Sequence, residues 1–154
     1  MTKLRFALAL TLALGLPILA HAQGVPDHHP AYLHALTDLN DARWYLAHAP
    51  DGYVDERERR AIEQVDRAID QVRRAAYYDG KDVYDRPRED VYSDPRGRLR
   101  RISELLRKAR ADVAQPEDNL NVRDFQYHAV ERIDNAIRLA ESVMLEREHQ
   151  YDRR

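Results

Sequence analysis

Apolar residues recur every three or four positions in four separate segments of the chain, which is the spacing of one face of an α-helix. The segments run from about 30 to 48, 54 to 78, 95 to 114 and 121 to 149, and Pro or Gly interrupts the pattern between them. Each predicted helix is charged on its other face, so it needs neighbours to cover its apolar stripe. The pattern therefore predicts an all-α fold, namely an antiparallel four-helix bundle.

The second and fourth segments are similar in sequence. Residues 61–69 (AIEQVDRAI) align with residues 129–137 (AVERIDNAI) at an offset of 68, with five of nine positions identical. Four residues of the first segment recur in the third at an offset of 67: Leu39, Ala42, Arg43 and Ala47 against Leu106, Ala109, Arg110 and Ala114. Chance likeness between amphipathic helices is the alternative, but two matches in one order at nearly one offset favour a duplicated helical hairpin.

The first 22 residues have a different pattern. Lys3 and Arg5 precede an apolar run over residues 6–19, and Ala20-His21-Ala22 places small residues at the cleavage positions of a secretory signal peptide. A retained membrane anchor is the alternative, but the run is shorter than the roughly 20 residues that span a bilayer. We therefore expect a signal peptide over residues 1–22, a bundle over residues 23–154, periplasmic or secreted localisation, and no stable membrane span.

The two predicted hairpins, residues 30–78 and 95–149, are joined by a linker over residues 79–94 that is long for a bundle connection. Fully extended, this linker reaches roughly 50 Å, whereas a 20-residue helix is about 30 Å long. Both a local link and a lengthwise crossover are therefore open. Because short connections dominate in bundles, we expect the up-down-up-down arrangement with a local link.

Composition narrows the range of functions. The chain has no Cys, so it folds by core packing without disulfides. Its formal net charge of −2, which falls to −4 when the two basic residues of the signal peptide are removed, argues against a nucleic-acid binder. No G-x-S-x-G, phosphate-loop or H-E-x-x-H motif is present. The sequence thus indicates a protein that is not an enzyme.

Histidines carry the main candidate chemistry. In an up-down-up-down bundle, the start of the first helix lies beside the end of the fourth, which would bring His28, His29, His34 and His149 to one end, while His48 and His128 lie towards the other. Imidazole together with carboxylate is a ligand set for Cu or Zn. The predicted metal ligands are His28, His29, His34, His128 and His149. Solvated surface histidines near helix ends are the alternative interpretation.

Charged residues offer two further candidates. Asp66 and Asp134 are equivalent in the repeat, and we favour salt bridges to the equally equivalent Arg43 and Arg110 over a paired-carboxylate site. The third predicted helix is strongly basic and would face a partner or an anionic surface unless neighbouring acids, such as those of the linker, pair with it. Its basic residues are Arg96, Arg98, Arg100, Arg101, Arg107, Lys108 and Arg110.

Tyrosines cluster in and beside the linker, at Tyr77, Tyr78, Tyr84 and Tyr92. They indicate either an aromatic contact surface or a linker that packs its rings over the end of the bundle.

Two resemblances follow from these segments. Residues 29–43 (HPAYLHALTDLNDAR), together with the Ala-x-Glu-x-x-Asp-x-Ala-Ile units, resemble a group of exported bacterial helical-bundle proteins. The general plan is also similar to the small periplasmic metal-binding four-helix proteins, and that resemblance implies binding of divalent metals, above all copper, by exposed His and acidic residues. Those proteins are rich in His throughout their repeats, whereas the mature chain predicted here has six His.

Two functional hypotheses result. The first is a non-enzymatic periplasmic binding protein that binds divalent metal ions through exposed His and acidic residues. The second is a structural or stress-related interaction protein that binds a protein partner or an anionic surface through the basic third helix and the tyrosine-rich linker.

Overall fold

A computed structural model describes residues 31–49, 52–81 and 97–153. The elements in this part of the chain are four α-helices without strands: α1 (Tyr32–Ala47), α2 (Glu56–Tyr78), α3 (Arg98–Val113) and α4 (Arg123–Asp152). The all-α prediction is confirmed, and each helix boundary lies within three residues of the predicted one. The predicted signal peptide, His28, His29 and most of the predicted linker lie outside the described residues.

Local sequence signals explain both ends of α2. Asp55 caps the first turn, because its side chain accepts a hydrogen bond from the Arg57 backbone N–H while the Glu58 side chain accepts one from the Asp55 N–H, both at 2.8 Å. At the other end Gly80 adopts a φ of +69°, and the N–H groups of Gly80 and Lys81 donate to carbonyls of the last turn.

Repeat-related positions are buried in both halves of the molecule. Leu39 and Leu106 are buried on α1 and α3, and Val65 and Ile133 are buried on α2 and α4. Alanines occupy many of the other core positions of α2 and α4, namely Ala61, Ala68, Ala76, Ala129, Ala136 and Ala140. None of the described helices combines the length and the apolarity that a membrane span requires.

Cross-helix contacts give the direction of each helix. The Tyr32 hydroxyl at the start of α1 donates to Glu117 beyond the end of α3, and Arg98 at the start of α3 donates to the Tyr45 carbonyl late in α1. These contacts show that α1 and α3 run in opposite directions.

The pair α2 and α4 is likewise antiparallel. Arg57 at the start of α2 forms an ion pair with Glu146 late in α4, and Tyr78 at the end of α2 stacks on Phe125 at the start of α4. One end of the molecule, the Tyr32 end, therefore holds the start of α1, the ends of α2 and α3 and the start of α4. The other, the Arg98 end, holds the end of α1, the starts of α2 and α3 and the end of α4.

The order of the helices differs from the expected one. Helix α1 packs on α2 and α3, and α4 packs on the same two helices. Helix α2 ends at the Tyr32 end and α3 begins at the Arg98 end, so the two helix termini that the chain joins lie at opposite ends of the molecule. The expected up-down-up-down arrangement with a local link is therefore wrong. In the observed order α1 packs on α3 and α2 packs on α4, so each helix contacts its repeat-related counterpart.

Candidate functional site

The repeat-equivalent acids form salt bridges within each hairpin. The Arg43 Nε lies 2.5 Å from the Asp66 Oδ1, and the Arg110 Nε lies 2.5 Å from the Asp134 Oδ1. Hydrogen bonding to these carboxylates raises the pKa of both guanidinium groups. The predicted salt bridges are confirmed, and each Asp contacts an Arg of its own half.

The basic side chains of α3 are largely engaged by acids of the other helices. Arg98 pairs with Glu58 of α2, Arg107 lies 2.5 Å from Glu141 of α4, and Lys108 lies 3.2 Å from Asp38 of α1. The sequence left two alternatives for these basic side chains, binding to a partner or pairing with neighbouring acids. The pairing is present, and its acids belong to α1, α2 and α4. These basic side chains are therefore largely neutralised within the bundle, although those of Arg107 and Lys108 stay more than half exposed.

Two of the predicted metal ligands, His34 and His149, lie at opposite ends of the molecule. His34 lies in the first turn of α1 at the Tyr32 end, whereas His149 lies late in α4 at the Arg98 end. The expectation that they meet is wrong, because it rested on the up-down-up-down order.

The remaining described histidines have local partners. His128 lies between Asp124 and Glu131 of its own helix, at 3.6 and 3.4 Å. The His48 ring stacks on Trp44 at a centroid distance of 4.4 Å. Within residues 31–49, 52–81 and 97–153, no three His, Asp or Glu side chains are grouped to hold a metal ion. Metal binding stays a prediction, to be tested by titrating the mature chain with Cu²⁺ and Zn²⁺ in a calorimeter.

A buried charged cluster closes the Arg98 end. The Glu58 side chain is fully buried and accepts hydrogen bonds from Arg98 and from Arg147 of α4, the latter at 3.3 Å. Arg98 is also buried, and its second amino group donates to the Tyr45 carbonyl at 2.6 Å. The cluster ties α1, α2, α3 and α4 together at one point, which is a structural role.

A buried hydrogen bond closes the Tyr32 end. The Tyr32 hydroxyl donates to the Glu117 carboxylate at 2.7 Å, and both side chains are buried. Burial, followed by the interaction with Glu117, raises the pKa of Tyr32 well above its usual range. Glu117 also accepts from the Asn119 N–H at 2.8 Å, so this pair organises the α3–α4 turn.

A surface groove lies beside this turn, between the last turns of α2 and the start of α4. It has a volume of about 400 Å³ and is lined by Arg73, Arg74, Tyr77, Tyr78 and Phe125. We call it the arginine–tyrosine groove. The Tyr78 and Phe125 rings stack at a centroid distance of 5.6 Å with an interplanar angle of 8°, and Tyr77 meets Tyr78 edge-on.

The groove combines exposed rings with two arginines that have no ion-pair partner among the described residues. Tyr77 and Tyr78 are 74% and 57% exposed, although both are large aromatic residues. Among the described residues, no carboxylate lies within ion-pair distance of Arg73 or Arg74. An arrangement of guanidinium groups and aromatic faces can bind a ligand by ion pairing and stacking, but it contains no nucleophile or general base.

The sequence pattern indicates only some of the residues that form the arginine–tyrosine groove. Tyr77 and Tyr78 were candidates as part of an aromatic surface, whereas the pairing of Phe125 with Tyr78 depends on the contact between α2 and α4. Arg73 and Arg74 precede the tyrosines by one helical turn, and that spacing is a signal for a shared face. The Asp55-x-x-Glu58 pattern signals a capping box, but nothing local signals that Glu58 also meets Arg98.

Comparisons of the chain with protein-family models, with curated proteins and with solved structures find no match in any of the three. The functional inference therefore rests on the residues and contacts described above.

Proposed function

We propose that the protein is a non-enzymatic, exported binding protein that engages a protein partner through the arginine–tyrosine groove. The observation that carries this proposal is the exposure of Tyr77 and Tyr78 beside two arginines without carboxylate partners in the described structure. Tyr and Arg are enriched at protein–protein interfaces and among the residues that contribute most of the binding energy.

The groove is a better candidate than the basic third helix of the sequence-based hypothesis. Arg98, Arg107 and Lys108 of that helix already pair with acids of other helices. Binding there would compete with these pairs, whereas no carboxylate of the described residues pairs with Arg73 or Arg74. The proposal that the protein is exported rests on the signal-peptide pattern of residues 1–22.

Site-specific photo-crosslinking tests the proposal. A photoreactive phenylalanine analogue is placed at Tyr77 in the full chain, expressed in the cells that make it, and the matched control carries it at Tyr53, which is 63% exposed at the Arg98 end. We expect a discrete heterologous adduct from position 77, none from position 53, and loss of the adduct in the variant R73E/R74E.

The variant R100E controls for the change of surface charge. Arg100 is exposed on α3, at the opposite end from the groove, so R100E should retain the adduct at position 77. Equal adducts from positions 77 and 53, or no adduct from position 77, would contradict the proposal. An adduct of twice the chain's own mass would mean self-association, which also contradicts it.

A further inference from the structure

The composition of the arginine–tyrosine groove indicates which kind of partner segment it takes. We infer that its occupant is a short acidic peptide segment that carries an aromatic or apolar side chain. This inference rests on the proposed function and specifies the ligand of the same groove.

The charge of the groove favours an acidic ligand. Arg43, Arg107 and Arg110 each pair with a carboxylate on another helix. Arg73 and Arg74 have no such carboxylate among the described residues, although they lie on α2 near its contact with α4. A guanidinium group binds a carboxylate through two parallel hydrogen bonds, which favours Asp or Glu side chains as the external partners.

The aromatic floor of the groove favours an aromatic or apolar side chain. Phe125 packs against the core and stacks on Tyr78, so the Tyr78 ring rests on a neighbour that is itself held by the core. A fixed pair of rings offers an apolar or aromatic side chain a prearranged contact at low entropic cost. Residues 73 and 77, and likewise 74 and 78, are one helical turn apart, so each arginine is adjacent to a ring on the surface of α2.

The shape of the groove separates a peptide from a small molecule. A small-molecule pocket buries most of its ligand's surface. The groove has a volume within the usual range of such pockets, but Tyr77 and Tyr78 remain more than half exposed, so it is too shallow to enclose a ligand. An extended segment that lays two or three side chains into the groove and continues over the surface matches this geometry.

Nucleic acids and other polyanions match the groove less well than a short acidic peptide does. Nucleic-acid binding proteins typically neutralise several phosphates at once, and the groove offers two arginines on a chain whose formal net charge is −2. The electrostatic contribution to binding is therefore local and suits a segment with a few carboxylates.

A random-peptide display selection on the intact protein tests the inference. Peptides are selected on the wild-type protein and counter-selected on R73E/R74E, and the enriched sequences are then synthesised for binding measurements. We expect enrichment of Asp and Glu next to an aromatic or apolar residue. In a synthetic peptide, replacing the acids with their amides should weaken binding at least tenfold, as should R73E/R74E, whereas R100E should change it less than twofold.

The position of the bound peptide is read by NMR, with backbone shifts expected around residues 73–78 and 119–126. Enriched peptides that are neutral or basic, or that bind R73E/R74E as well as the wild type, would overturn the inference. If the enriched peptides are neutral or basic, or bind R73E/R74E as well as the wild type, while position 77 still gives its adduct in cells, the inference fails and the proposed function stands. If position 77 gives no adduct, the proposed function itself has failed. Concentration-dependent dimerisation through the groove in sedimentation experiments would make a second copy the occupant and would also overturn the inference.

Discussion

Two buried polar side chains, Tyr32 and Glu58, show how single residues specify the two ends of this molecule. Each has less than 2% of its surface exposed, and each pairs with a residue that is distant in the sequence. Tyr32 pairs with Glu117, and Glu58 pairs with Arg98. A buried polar group without its partner is costly, so these pairs favour one arrangement of the helices over the alternatives.

Replacement of Tyr32 with Phe should lower the free energy of unfolding at pH 7 by about 1–2 kcal/mol, because Glu117 loses a buried hydrogen-bond donor. The pH dependence should change as well. The pKa of Tyr32 is raised in the folded protein, whereas an unfolded tyrosine ionises near pH 10, so its contribution is present below about pH 10 and is lost as the pH rises further. Denaturant titrations between pH 8 and 11 should show a shallower alkaline loss for Y32F than for the wild type.

The exposed Tyr127 supplies the control for this experiment. The variant Y127F should match the wild type at every pH. A Y32F protein whose alkaline loss of stability equals that of the wild type would show that Tyr32 ionises as readily when folded as when unfolded.

Removal of Arg98 should be far more damaging than removal of an exposed arginine. In R98M the buried Glu58 carboxylate keeps its contacts with Arg147 and with the Asp55 N–H but loses its buried ion-pair partner, and breaking a buried ion pair from one side typically costs about 3–5 kcal/mol. Chemical denaturation of R98M measures this loss. The variant R43A, whose salt bridge is about half exposed, should lose less than about 1 kcal/mol. Equal losses in the two variants would contradict the structural role of the Glu58 cluster.

At the scale of elements, the ends of α2 are encoded by residues that lie within a few positions of each other. Asp55 and Glu58 satisfy the free N–H groups of the first turn, and Gly80 supplies the left-handed residue after the last turn. Such signals depend on the geometry of a few neighbouring residues. This explains why the sequence predicts the boundaries of α2 to within two residues.

Loss of the cap gives a test at this scale. The variant D55A should destabilise the protein by about 1 kcal/mol, whereas D55N should retain most of the stability because Asn is an equally good capping residue. The hydrogen bond from the Arg57 backbone N–H lowers the pKa of Asp55, so the charged cap stabilises the fold above about pH 4 and this contribution is lost as the pH falls further. Thermal melts between pH 7 and 2 should show a smaller acid-induced loss in D55N than in the wild type, and identical pH profiles would rule out this role for the carboxylate.

At the scale of the whole molecule, the repeat-related helices pack against each other in antiparallel pairs. Arg43–Asp66 and Arg110–Asp134 have the same Nε–Oδ1 distance, and the buried positions of one half correspond to those of the other. We propose that this correspondence reflects duplication of one hairpin. The candidate groove breaks the symmetry, because Tyr77 and Tyr78 correspond to Leu145 and Glu146 on α4, and Glu146 is paired with Arg57.

The crossed order of the helices can be tested through the length of the connection between α2 and α3. Arg98 contacts Glu58, and Glu58 lies 20 residues before Tyr78 in the same helix, so the connection must span roughly 30 Å. Deletion of residues 82–94 leaves six residues between the two helices, so the seven Cα–Cα steps from Tyr78 to Arg98 reach at most about 25 Å. We expect this deletion to abolish folding as a monomer, measured by sedimentation and circular dichroism.

Insertion of six Gly and Ser residues after residue 88 is the matched control. Lengthening a loop adds little closure entropy, so the insertion should lower stability by less than about 1 kcal/mol. If the deletion variant is a stable monomer, the helices follow the up-down-up-down order after all.

The sequence alone determined the four helices, the end signals of α2 and the Arg–Asp pairs within each hairpin, because all of these follow from spacing along one helix or between two helices joined by a short turn. It did not determine which helices are neighbours, since a 16-residue linker permits both a local link and a crossover. That choice decided the rest: it separated His34 from His149, buried Glu58 against Arg98 and placed Phe125 under Tyr78. These contacts join residues 40 or more positions apart, and only the packing of complete helices brings them together.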